Sequence, residues 1–401
     1  MQIDALAYAS HENRAAPTPI TDLCKRVRFR QSECQVCVDI CPTNAISLPF
    51  GPELSDACIN CGLCQIACPT ETIEGIHNTD QMMLDLLGDQ ADTIINGHKL
   101  HVHCYQAEAD NAYSVAVNCL GNMTENALLA MAGSNVKTLM LTTGNCSGCR
   151  LCPGMELFKH AVTTYANLSN MIAQSAITIA IRESEKQNAP PSSSTVSRRE
   201  FFRSLGTGMA KQVAKVVVNK EQQIRALLQT DDDATVQKRP SPRRQMLKAL
   251  FTELLLVEPL LAEPLLAKPL AEQRNDPVEI PAGVDFPWKK MHVDVAHCVG
   301  CGVCVNVCPT GALVKEVHDL ELMRTINHSL CTNCDVCAEA CPQDVIRFEQ
   351  AYSLSDIVTD TEEEVARVAL NACVICGEII PASEGAVCTT CQKRQMLPLF
   401  M

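Results

Sequence analysis

The cysteine run CVGCGVCVNVCPTGAL at residues 298–313 places four cysteines at gaps of two, two and three residues and follows the last with proline. The run CTNCDVCAEACPQDVI at 331–346 and the run CINCGLCQIACPTETI at 58–73 repeat this spacing. A fourth run ends in CQVCVDICPTNAI at 34–46, but nine residues separate its first cysteine, Cys24, from Cys34. The chain therefore contains a fourfold internal repeat, arranged as two pairs of runs.

This spacing predicts iron-sulfur ligation. Three thiolates on one tight loop can bind three irons of a [4Fe-4S] cluster, while the fourth reaches across to a neighbouring cluster. Zinc knuckles use pairs of cysteines, so zinc binding or simple packing explains the four runs less well. A longer loop can still return its first thiolate to the cluster, so Cys24 is kept as a predicted ligand.

Each pair of runs resembles the bacterial two-cluster ferredoxin family, and the two pairs together look like a polyferredoxin. The resemblance implies that three cysteines of a run bind one cluster and the fourth binds the other. In the N-terminal pair it implies two ligand sets: Cys24, Cys34, Cys37 and Cys68, and Cys58, Cys61, Cys64 and Cys41. In the C-terminal pair the sets are Cys298, Cys301, Cys304 and Cys341, and Cys331, Cys334, Cys337 and Cys308. Every run keeps its fourth cysteine, so no open iron site is expected.

The segment between the two pairs alternates helical and strand patterns, which predicts an α/β domain with a parallel sheet. Its cysteines follow three successive predicted strands: Cys104, then Cys119, then Cys146, Cys149 and Cys152. Carboxyl ends of parallel strands border one crevice, so these thiols are expected to converge in a further cluster or another metal site. The alternative is that Cys104 and Cys119 are buried as small apolar residues. The pattern is distantly similar to the small iron-sulfur subunit that links hydrogenases to heterodisulfide reductase complexes.

Two C-x2-C pairs lie near the end of the chain, and their spacing resembles a zinc ribbon. The four residues are Cys373, Cys376, Cys388 and Cys391. Four thiolates suit tetrahedral zinc, and a single rubredoxin-like iron is the alternative metal. The preceding stretch TDTEEEVARVAL at 359–370 is predicted to be a helix.

Composition narrows the class of partner. The formal net charge of −13 disfavours binding to nucleic acid and to anionic membranes. An acidic surface is suited to docking onto a redox enzyme or carrier protein. The alternative is that the charge only maintains solubility. The apolar window at 251–273 contains three prolines and five charged residues, so no membrane span is expected. The start of the chain lacks the apolar core of a secretory signal, and the odd number of 25 cysteines favours reduced thiols in the cytoplasm.

The predicted fold class is an α+β multi-domain protein. Its parts are ferredoxin-type 2[4Fe-4S] modules at 20–75 and 290–350, an α/β domain at 80–185, a linker with helical segments at 186–289, and a zinc-ribbon-like module at 372–394. The motif SRREFF at 197–202 is interpreted as part of a docking helix or as the remnant of an export signal.

The predicted function is electron transfer, with single electrons relayed through four [4Fe-4S] clusters to or from a partner oxidoreductase. No glycine-rich nucleotide motif and no recognisable nucleophile and base pair are present, so catalysis is assigned to a partner rather than to this chain. Two alternatives stay open: an assembly or maturation factor for a redox metalloenzyme, and a redox enzyme that acts through the middle-domain cysteines.

Overall fold

The computed structural model describes residues 17–74, 79–109, 113–134, 136–171, 177–184, 238–257, 277–279, 288–349, 351–353 and 360–396. The SRREFF helix and the apolar window beyond Val257 were predicted from sequence and lie outside the described residues. Within the described part of the chain, no helix combines the length and the apolar character that crossing a bilayer requires.

The N-terminal module consists of one-turn helices and two-residue strands. Its elements are β1 (Thr18–Pro19), α1 (Lys25–Arg28), α2 (Val36–Asp39), β2 (Ile46–Ser47), β3 (Glu53–Leu54), α3 (Leu63–Ala67) and β4 (Ile73–Glu74). Strand β1 pairs antiparallel with β4, and β2 pairs antiparallel with β3. The core is small and consists of Ile46, Cys64 and Ile73 with a few half-buried neighbours. So small an apolar core gives little stability by itself, which favours stabilisation by bound metal.

The middle domain follows the predicted alternation of helices and strands. Its elements are α4 (Thr79–Ile94), β5 (Ile95–Asn96), β6 (Lys99–Cys104), β7 (Val115–Val117), α5 (Glu125–Gly133), β8 (Thr138–Thr143), α6 (Gly154–Met171) and β9 (Thr178–Glu183). Strands β7 and β8 run parallel to β6, and β9 runs parallel to β8.

The sheet is mixed, which corrects the prediction of a purely parallel one. Strand β5 pairs antiparallel with β6 through a two-residue turn of Gly97 and His98. Both residues have positive φ, +56° and +62°, as a type I′ hairpin turn requires. The carboxyl ends of β6, β7 and β8 still share one edge, because only the short β5 reverses direction.

A helical segment from the predicted linker packs against the middle domain. Helix α7 (Pro242–Val257) buries Leu247 and Leu250 in the middle-domain core, together with Trp288. Its Arg243 donates to the Glu125 carboxylate at 2.9 Å and to the Ile66 carbonyl at 3.0 Å. Burial opposes ionisation of Glu125, but the Arg243 guanidinium lowers the pKa of that carboxyl below its usual value. Arg243 therefore joins the N-terminal module, the middle domain and α7.

The C-terminal region is largely antiparallel. Its elements are β10 (Pro277–Glu279), β11 (Lys290–Val293), α8 (Val303–Val307), β12 (Leu313–His318), β13 (Glu321–Asn327), α9 (Val336–Glu339), β14 (Ile346–Glu349), β15 (Ala351–Ser353), β16 (Glu362–Ala372), β17 (Ile379–Pro381) and α10 (Thr389–Met396). A four-stranded sheet has the order β12-β13-β16-β17, while β11 pairs with β14 and β10 with β15. The hairpin β12–β13 is inserted between the two cysteine runs.

The predicted helix at 359–370 is wrong, because this stretch forms strand β16. It pairs antiparallel with β13, and its buried Ala366 and Val368 alternate with exposed Arg367 and Ala369. The glutamate and alanine residues have favourable helix propensity, but pairing with a neighbouring strand outweighs such weak local preferences.

Candidate functional site

The N-terminal module brings its eight cysteines together as two groups. Cys24, Cys34 and Cys37 line one pocket together with Cys68, the last cysteine of the other run. Burial, followed by the charges of Cys68, Cys24 and Cys34, raises the pKa of the Cys37 thiol to about 12. The Cys24 thiol thus belongs to this group although nine residues, which include α1, separate it from Cys34.

The second group joins Cys58, Cys61 and Cys64 with Cys41. Burial raises the pKa of the Cys64 thiol to about 12, and the charges of Cys61, Cys58 and Cys41 add to the shift. Four adjacent cysteine sulfurs are suited to the cationic core of an iron-sulfur cluster, which would favour the deprotonated form of these ligands.

The C-terminal module repeats this arrangement. Cys341 lines a pocket with the three cysteines of the other run, Cys298, Cys301 and Cys304. The second group has the members Cys331, Cys334, Cys337 and Cys308. Burial raises the pKa of the Cys334 thiol to about 12, and the charges of Cys331 and Cys308 add to it. In both modules, therefore, the fourth cysteine of each run lies beside the first three of its partner run.

Backbone turns beside the second cysteine let the first three thiols of a run lie close together. In three of the runs, the residues on either side of the second cysteine have positive φ: Asn60 and Gly62, Gly300 and Gly302, Asn333 and Asp335. Glycine, asparagine and aspartate adopt this left-handed conformation more readily than other residues do, so sequence could have suggested all three pairs.

A second turn follows each Cys-Pro pair. The third residue after the last cysteine has positive φ in all four runs, at Asn44, Glu71, Gly311 and Asp344. This turn lets backbone N–H groups donate to sulfur: that of Ala45 donates to Cys41 Sγ at 3.3 Å, and that of Thr72 donates to Cys68 Sγ at 3.5 Å. Such N–H donors stabilise thiolate charge.

The middle-domain cysteines converge as predicted. All five line one pocket at the carboxyl edge of the sheet: Cys104, Cys119, Cys146, Cys149 and Cys152. Burial raises the pKa of the Cys119 thiol to about 12, and the charges of Cys104, Cys149 and Cys146 raise it further. Cys152 is the most exposed of the five and lies at the rim.

Backbone N–H groups also point at these sulfurs. The N–H of Gly144 donates to Cys104 Sγ at 3.3 Å, that of Gly121 donates to Cys119 Sγ at 3.4 Å, and that of Leu151 donates to Cys149 Sγ at 3.3 Å. The same kind of donor serves the cysteines of the N-terminal module. The donor set of the pocket therefore fits an iron-sulfur cluster.

The middle pocket lies next to the N-terminal module. Asn122 Nδ2 donates to the Cys61 carbonyl at 2.8 Å. A Cβ at Gly154 would lie 2.6 Å from Cys119 Sγ and 3.0 Å from Leu63, so glycine allows the loop around Cys61 to pack close to the pocket. No sequence signal indicated this contact.

The C-terminal cysteines form a compact set of four sulfur donors. The sulfurs of Cys373, Cys376, Cys388 and Cys391 all lie within 4.8 Å of one another, and no other group of three or more such donors in the described residues does so. The backbone N–H groups of Cys388 and Cys376 lower the pKa of Cys373 to about 6. This spacing fits a single metal ion.

One residue near the cysteines was missed by sequence reasoning. Arg324, in β13 of the inserted hairpin, is 3% exposed and donates from Nη1 to Cys298 Sγ at 3.0 Å. The arginine lies between the two cysteine runs in sequence, where nothing marks it as part of a site.

Comparison with known proteins identifies the regions that contain the four cysteine runs. A family model described as a 4Fe-4S binding domain matches residues 54–74, 291–314 and 324–347. A second model with the same description matches residues 21–44. A search of curated proteins found no match to the chain. The matches confirm the predicted ferredoxin resemblance: the chain contains 4Fe-4S binding domains in its N-terminal region at 21–74 and its C-terminal region at 291–347.

Proposed function

We propose that this protein is an electron carrier that relays single electrons through four [4Fe-4S] clusters to or from a partner oxidoreductase. The observation that supports this most directly is the exchange of the fourth cysteine between the two runs of each module. When bound, such clusters supply one-electron redox chemistry over a wide range of potentials. The four groups of cysteines described above would hold the clusters. Each group contains four cysteines, one for each iron of a cluster, so no iron would be left without a protein ligand.

Contacts between the two modules support one continuous relay. Lys25, next to Cys24, pairs with Glu339 at 2.5 Å, two residues after Cys337. Phe29 packs against the core of the C-terminal module, and Arg28 donates to the Asn306 carbonyl at 3.3 Å. The group that contains Cys24 thus faces the group that contains Cys337.

We further propose that the middle pocket holds an additional iron-sulfur cluster. Its position beside the Cys61 loop would place this cluster at the N-terminal end of the relay. The alternative, in which this site acts on a substrate, would require a metal position that the cysteines leave open.

The test of the proposed function is anaerobic iron, sulfide and zinc analysis with electron paramagnetic resonance (EPR) during reductive titration. Four clusters give about sixteen irons and sixteen sulfides per chain, with reversible one-electron signals. Iron above this number would support a cluster in the middle pocket. Much less iron in a folded, anaerobically prepared protein would contradict the electron-carrier proposal.

The C-terminal group is proposed to bind zinc, and Cys388→Ser should release it. We expect about one zinc per chain to be lost and the tail beyond β16 to become sensitive to protease, since so small a module depends on its metal for folding. Zinc analysis and limited proteolysis measure both effects. The control is Val374→Ala, a change at a 73% exposed residue of the same module. Iron in place of zinc would favour the rubredoxin-like alternative.

A further inference from the structure

We propose that Arg324 raises the reduction potential of the cluster held by Cys298, Cys301, Cys304 and Cys341. In this proposal Arg324 acts on the cluster through its charge and its hydrogen bond to Cys298, and it is not itself a ligand. The inference rests on the proposed function, because it requires a cluster at this group of thiols.

The first observation is the position of the guanidinium. Arg324 lines the same pocket as the four cysteines, and its Nη1 donates to Cys298 Sγ at 3.0 Å. Among the hydrogen bonds of the described residues, this one differs from the others that cysteine sulfurs accept, because its donor is a charged side chain. A charge-assisted donor interacts more strongly with a thiolate than a backbone N–H does.

The second observation is that the guanidinium has unused donors. Nε and Nη2 of Arg324 are buried, and neither has a hydrogen-bond partner among the described residues. Buried polar groups of native proteins are nearly always paired, and an unpaired charged group is especially costly. A cluster in the pocket would bring additional sulfur acceptors and negative charge to this guanidinium, which accounts for its burial.

The third observation is the burial of the strand segment that carries the side chain. Arg324, Thr325 and Ile326 of β13 are all buried, so both faces of the strand are covered at this point. The backbone of Arg324 is paired on both sides, with Lys315 of β12 and with Ala366 of β16. The side chain is therefore held beside the cysteines by a buried, paired strand.

The electrostatic consequence has a definite sign. When one electron passes from a donor to this cluster, the donor loses one unit of negative charge and the cluster gains one. A fixed cation in hydrogen-bond contact with a ligand stabilises the more negative, reduced state, so the potential rises. Electrons are therefore held at this end of the relay, where Cys301 is exposed and a partner can approach.

The experiment compares Arg324→Gln with the wild type in the full-length, anaerobically prepared protein. We expect both to contain the same iron and sulfide, while one EPR-active component shifts to lower potential. A tenfold change in the ratio of reduced to oxidised cluster corresponds to 59 mV for one electron, and we expect a shift of at least this size. Arg324→Lys keeps the charge but not the planar set of donors, so its shift should be smaller.

The control is Arg367→Gln, which removes an exposed arginine of the same sheet that pairs with Glu364 and Glu321. Its titration should match the wild type. Unshifted potentials in a fully loaded Arg324→Gln protein would overturn the inference. If Arg324→Gln fails to load this cluster, the neutral Arg324→Met replaces it, and a wild-type midpoint in a loaded Arg324→Met protein overturns the inference. The proposed function fails separately, if the wild type itself contains no reducible clusters.

Discussion

Replacing Cys337 with alanine should remove about four of the roughly sixteen irons expected for four clusters. Cys337 is buried, and the thiol charges that raise its pKa are those of Cys331, Cys334 and Cys308, followed by Cys304 of the adjacent group. A buried methyl group offers no ligand, and its apolar surroundings leave little room for water to replace the sulfur. We therefore expect one cluster signal to disappear and that of its neighbour, to which Cys304 belongs, to weaken.

Iron and sulfide analysis together with EPR of the reduced protein measures this loss. The matched control is Val336→Ala, because Val336 is equally buried on the same helical turn but carries no sulfur. It should cost roughly 2 kcal/mol of stability through lost packing and keep all iron. Unchanged iron in Cys337→Ala would refute the proposed ligand set.

Replacing Cys119 with alanine should abolish any iron in excess of about sixteen. Cys119 lines the middle pocket, where burial and three neighbouring thiol charges raise its pKa to about 12. Such a thiol ionises only when a cation is bound beside it, so its sulfur is expected to be essential for the additional cluster.

The control for this prediction is Cys152→Ala. Cys152 is exposed at the rim of the pocket, and four other cysteines remain to complete a ligand set. Its removal should preserve the excess iron, and spectra of the two variants should differ in one component only. If the wild type has no excess iron, or if Cys119→Ala retains it, the middle pocket does not hold an iron-sulfur cluster of this kind.

Prediction from sequence succeeded for features in which the ligand residues and their spacing lie within a short stretch of chain. The cysteine runs identified both 4Fe-4S regions, and the strands before Cys104, Cys119 and Cys146 predicted a shared pocket, because parallel strands must end at one edge. The prediction failed for β16, where residues with good helix propensity pair with another strand. Neither Arg243 nor Arg324 was predicted, since their partners Glu125 and Cys298 lie 118 and 26 residues away in the sequence.

By itself, the sequence determined which residue types could bind iron and at what spacing, because ligation by a tight loop is a local property of the chain. Only the tertiary structure decided which groups of thiols face one another. The contact of Lys25 with Glu339, that of Asn122 with Cys61, and the burial of Arg324 beside Cys298 depend on how the modules pack. Packing is set by the combined burial of many side chains distant in sequence, so no short motif specifies it.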